Sequence, residues 1–93
     1  MIQLGSPVIK EALLHFGHGS QTYKALEEFS ELQRAIAKNL MREPNATHHV
    51  IDEIADCFIM LEQLAHIYGI NEVTAQHAFK LARLQARIEE MKE

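Results

Sequence analysis

Four carboxylates stand out by their spacing: Glu28 and Glu31 lie three residues apart, and after twenty-one intervening residues come Glu53 and Asp56, again three apart. At about 100° per residue the members of each pair sit roughly 60° from one another on one face of a helix. Both pairs border apolar seams, where an ionised carboxylate without a partner costs on the order of several kcal/mol. Cations or protonation must therefore compensate them, and a hard divalent ion such as Mg²⁺, with Mn²⁺ as the alternative, takes oxygen ligands and leaves positions for water and phosphate. Gln21 and Lys24 continue the first acidic stripe upstream, and Lys80, Arg83 and Arg87 share another stripe suited to phosphate oxygens. Acids, metal and bases together point to a polyphosphate substrate. Acid pairs on helices commonly form a solvated face. Glu53 and Asp56 resist that reading, because Ile, Val, Phe and Met surround them and leave no continuous polar face.

Punctuation and period supply the elements that must position these groups. Ser6 followed by Pro7 opens a first helix, which ends before Gly17. Ser20 is the expected cap of a second, along which Ala25, Phe29, Leu32, Ile36 and Leu40 recur on one face to about Met41. The run Glu43-Pro44-Asn45-Ala46 breaks the chain. Thr47 is expected to cap a third helix, apolar on nearly every side until Gly69 stops it. Asn71 is expected to cap a fourth, with Val73, His77, Leu81, Leu84, Ile88 and Met91 as its seam. Long helices joined by short turns predict an all-α antiparallel four-helix bundle formed by one domain over 1–93. The third helix has more apolar circumference than two neighbours can cover, so a homodimer or homotetramer is expected.

Composition narrows the function classes. With 93 residues, 47% of them apolar, the chain is long enough for one hydrophobic core and too short for two. A net charge of −4 argues against general affinity for nucleic acid. The lone Cys57 excludes an intrachain disulfide and a thiol-rich zinc site. The N-terminal run Met1–Ile9 meets Lys10 and Glu11 before a secretory core develops, and no stretch is long and apolar enough for a bilayer. A cytoplasmic protein without membrane partners is expected.

The acids also form a recognisable motif. Glu27-Glu28-Phe29-Ser30-Glu31 followed by Glu53-Ile54-Ala55-Asp56 resembles the EExxE and ExxD signature of MazG-like nucleoside triphosphate pyrophosphohydrolases. Gln21, Lys24, Leu32, Asp52 and the segment Lys80-Leu81-Ala82-Arg83-Leu84 are similar to the short, phage-type members, so the likeness spans roughly residues 16 to 90. It implies an oligomeric, Mg²⁺-dependent, all-α enzyme that cleaves a nucleoside triphosphate between the α and β phosphates. Glu28, Glu31, Glu53 and Asp56 would then be metal ligands, with Glu31 also the acceptor of a proton from water. Lys80 and Arg83 would hold the outer phosphates, and Gln21, Lys24 and Arg87 would complete the substrate contacts. Glu27 matches the motif but points about 100° away from Glu28 and is not assigned as a ligand.

Other residues read more plainly. His15, Phe16 and His18 are either a wall for a nucleobase or ordinary terminus and loop residues, and the tryptophan that larger relatives place near the base is missing. His49 lies one turn upstream of Glu53 on the acidic stripe, as a solvated histidine or a phosphate neighbour. His66, His77, Cys57 and Met60 read as packed residues. Three rival functions remain: a phosphoribosyl-ATP pyrophosphohydrolase-like enzyme, a non-catalytic helical oligomerisation or regulatory module, and a di-iron bundle. The last lacks the required Glu-x-x-His pairs.

Overall fold

Glycines of positive φ make two of the three corners between helices. Gly17 (φ 90°) ends α1, Pro7–Phe16, and immediately begins α2, His18–Met41. Gly69 (φ 128°) does the same between α3, Thr47–Tyr68, and α4, Ile70–Met91. Each glycine N–H closes the preceding helix on a carbonyl four residues back, Leu13 or Ala65, and each glycine carbonyl accepts the first bond of the next helix, from Gln21 or Val73. These are the places where the chain departs from sequence expectation. Ser20 and Asn71 lie inside α2 and α4, because the Gly17 and Gly69 carbonyls start those helices earlier. Thr47 is likewise the first residue of α3, behind Ala46, and no side chain caps that helix.

The computed structural model describes residues 6–92. The segment 1–5, on which most of the reading about a secretory core rested, lies outside them. Among the described residues all regular structure is helical. The turn at 42–46 is fastened from α2, where the Asn39 amide donates to the carbonyls of Glu43 (3.0 Å) and Pro44 (3.2 Å). It returns α3 antiparallel to α2. Gln21 Nε2 donates to Gln63 Oε1 at 2.7 Å, and the Cys57 thiol contacts the Glu28 carbonyl at 3.5 Å. Partner numbers thus fall on one helix as they rise on the other. Ala25, 1% exposed, lets the two helices approach closely, and Ile9 and Leu13 of α1 cover the pair.

The fourth helix behaves differently. It touches α3 alone, and none of its residues is buried. A chain of 10.6 kDa with 7367 Å² of accessible surface exceeds the about 5,500 Å² expected of a folded monomer. Its radius of gyration of 16.1 Å likewise exceeds the about 12 Å of a compact domain of this length. Within one chain, then, α1 to α3 pack together and α4 stands off from α1 and α2. His77, read as packed, is exposed on α4 for that reason. The third helix leaves Phe58, Ile59 and Leu61 partly open, although Cys57 and Met60 are buried as expected.

Candidate metal centre and the adjoining groove

The antiparallel register of α2 and α3 carries the two acid pairs to the same level of the hairpin. Glu28 lies one turn beyond the tightly packed Ala25, and it is 8% exposed. Lys24, one turn upstream on the same helix, reaches it with Nζ 3.4 Å from Oε1. Across the seam, α3 presents Glu53 and Asp56. One carboxylate oxygen from each of Glu28, Glu53 and Asp56 lies within 4.8 Å of the other two. Glu53 Oε2 is buried and has no hydrogen-bond partner.

This crowding affects proton affinity. Burial, followed by the charges of Glu31, Glu28, Asp56 and Asp52, pushes the Glu53 carboxyl above its ordinary value. A divalent cation removes the same repulsion without a proton, and three convergent carboxylates form a hard-oxygen donor set of the kind Mg²⁺ or Mn²⁺ takes. Beneath the acids, burial and then the neighbouring carboxylates push the Cys57 thiol up. Cys57 is therefore a protonated wall of the site, consistent with its expected place in the core.

Glu31 lies beside this triad, and its charge acts on Glu53, but it is not among the three converging carboxylates. It is exposed and lines a groove of about 200 Å³ together with Arg34, Lys38, Asn39, His49 and Glu53. The groove adjoins the triad through Glu53 and runs toward the turn between α2 and α3. His49, solvent-exposed, belongs to its α3 wall. Arg34 and Lys38 were absent from the sequence reading, which looked to α4 for phosphate contacts. Their signal was present, since Glu31, Arg34 and Lys38 follow the three-then-four spacing of one helical stripe.

The other expected site residues lie elsewhere. Gln21 is engaged by Gln63 two turns from Glu28, and Glu27 is exposed to solvent. Lys80, Arg83 and Arg87 are exposed on α4, which makes no contact with α2, and Arg83 lies over the Phe79 ring at 5.8 Å. His15 and Phe16 meet edge to face, 4.7 Å between centroids, at the end of α1, while His18 begins α2. All three precede Gln21, at the end of the hairpin away from the groove. His66 Nε2 and Glu62 Oε2, one turn apart on α3, are buried without partners. Comparison with known proteins finds no matching family model, curated protein or solved structure.

Proposed function

We propose that this protein is a Mg²⁺-dependent nucleoside triphosphate pyrophosphohydrolase. The observation that carries the reading is the convergence of Glu28, Glu53 and Asp56 from two helices, with one Glu53 oxygen buried and unpartnered. The EExxE and ExxD spacing, which resembles MazG-like enzymes, supplies the reaction class. Glu28, Glu53 and Asp56 would hold the ion. When bound, such an ion polarises a phosphoryl oxygen and favours ionisation of water. Glu31, exposed beside the triad, would accept the proton of an attacking water at its carboxylate. Addition of that water to the α-phosphorus breaks the bond to the α–β bridging oxygen. One triphosphate and one water yield a monophosphate and pyrophosphate, and the proton passes from Glu31 to solvent.

The assembly belongs to the same proposal. The surface in excess of a compact monomer, roughly 1,900 Å² per chain, is more than twice the about 800 Å² that each partner contributes to a standard interface. It includes the α4 seam and the open side of α3, whose Phe58, Leu61, Leu81, Leu84 and Ile88 are exposed together. A second copy of this chain supplies a surface of the same composition, and self-association lets one patch cover another. In such an oligomer Lys80, Arg83 and Arg87, exposed on α4, would be the cations one copy offers to the acid cluster of another.

Assay of pyrophosphate release from a panel of ribo- and deoxyribonucleoside triphosphates and phosphoribosyl-ATP, with and without Mg²⁺, tests the reading. Turnover of a triphosphate should require Mg²⁺. Glu53→Ala and Asp56→Ala should each abolish it while circular dichroism retains the helix content. Turnover of phosphoribosyl-ATP alone would transfer the protein to that rival class. If no substrate is cleaved and Mg²⁺ leaves the melting temperature unchanged, the metal centre falls and a helical association module remains.

A further inference from the structure

We infer that the groove of Glu31, Arg34, Lys38, Asn39 and His49 seats the two terminal phosphates of the substrate, and hence pyrophosphate after cleavage. The inference rests on the metal-centre reading for its chemistry, but its own support is the geometry of the groove. Glu53 belongs to both the acid triad and the groove wall, so an anion in the groove lies directly beside the candidate ion site. Arg34 has no ion-pair partner among the described residues. Among the described residues Lys38 meets only Glu43, at 3.6 Å, in a pair exposed on both sides and therefore weakly held. Both cations are available to an anion. Arg34 offers a planar fork of donors matched to phosphate oxygens and Lys38 a mobile point charge, while His49 faces them from α3.

Size restricts what can enter. A volume of about 200 Å³ is below the ~300–1,000 Å³ of pockets that enclose whole ligands. The groove fits a phosphate tail and leaves the nucleoside outside. Its floor at the turn is fixed before any ligand arrives, because the Asn39 amide holds the Glu43 and Pro44 carbonyls. Asn39 is thus a positioning residue, and Arg34 and Lys38 are the binding groups. Charge balance adds a condition. Glu31, Glu43 and Glu53 surround the same space, so a polyanion is repelled until a divalent ion offsets the acids. Tail binding is therefore metal-dependent.

Titration calorimetry of the full chain with inorganic pyrophosphate, with and without Mg²⁺, tests this directly. Wild type should bind pyrophosphate only with Mg²⁺. Arg34→Gln and Lys38→Gln should each weaken that binding about tenfold, and the double variant more, as expected for loss of charged hydrogen-bond donors. Both side chains are exposed, so helix content should be retained. The thermal shift produced by Mg²⁺ alone should also persist. Lys10→Gln, an exposed cation on α1, should bind pyrophosphate as wild type does and thereby excludes a general charge effect. Unchanged pyrophosphate affinity in the double variant, or no binding to wild type when Mg²⁺ binds, would overturn the groove and leave the metal centre standing. Absence of any Mg²⁺ thermal shift in wild type, with pyrophosphate held through Arg34 and Lys38 equally well without Mg²⁺, would instead overturn both the metal centre and the metal dependence of tail binding, and leave the groove as an anion site alone.

Discussion

Glu53 concentrates the site's electrostatic strain in one side chain. Its proton affinity is raised by burial and by four neighbouring acids, so its ionisation opposes folding when no metal is bound. The sign follows from linkage: the stabilising contribution of the protonated form is complete below the unfolded carboxyl value near 4.5 and is lost as pH rises through the folded value. Metal-free wild type should accordingly lose melting temperature relative to Glu53→Gln as pH rises above about 4.5. The same variant should melt higher at neutral pH and respond less to Mg²⁺. Equal slopes in the two proteins would remove Glu53 as the cause. Gln63, 1% exposed, presents a different case, since its Oε1 depends on the Gln21 amide. Gln21→Ala should cost about 1–3 kcal/mol by leaving a buried acceptor unpaired, as read by chemical denaturation. The carboxylate spacing was legible in the residue string. Burial of one Glu53 oxygen was not, because a helical stripe does not specify what closes over it.

At the level of elements, the site depends on one antiparallel hairpin and its turn. The apolar period located α2 and α3 well, and Pro44 marked the break between them. The starts of α2 and α4 were displaced because a glycine carbonyl can begin a helix without a capping side chain, which leaves no polar residue as a signal. Gly17 tests the importance of such a corner cleanly, since a Cβ there meets open space while φ stays at +90°. Gly17→Ala should destabilise the fold by about 1–2 kcal/mol through backbone strain alone. A melting temperature equal to that of wild type would show that α1 and α2 can meet at another angle. Arg34 and Lys38 illustrate the limit of reading elements singly. Their stripe was visible on α2, but their importance appears only when His49 and Glu53 of α3 close the opposite side of the groove.

For the molecule as a whole, α4 is the unresolved piece of packing within a single chain. Its seam of Leu81, Leu84 and Ile88 is exposed, and it touches only α3. Sedimentation at micromolar concentration should find a dimer or tetramer. Leu84→Asp should lower the mass toward that of one chain and reduce the melting temperature, even though Leu84 is not buried in its own protomer. A stable monomer in wild type would defeat the assembly. No helix among the described residues is long and apolar enough to cross a membrane.

Local rules, acting over a few residues, were enough to specify four helices, two glycine corners and two acid pairs, because period, breakers and side-chain spacing are properties of the chain itself. Tertiary structure decided which of those acids converge and which cations stand beside them, since both depend on the register between α2 and α3. It also placed α4 outside the packed unit. A seam in the sequence records that a surface is apolar, and only the fold determines whether the same chain covers it.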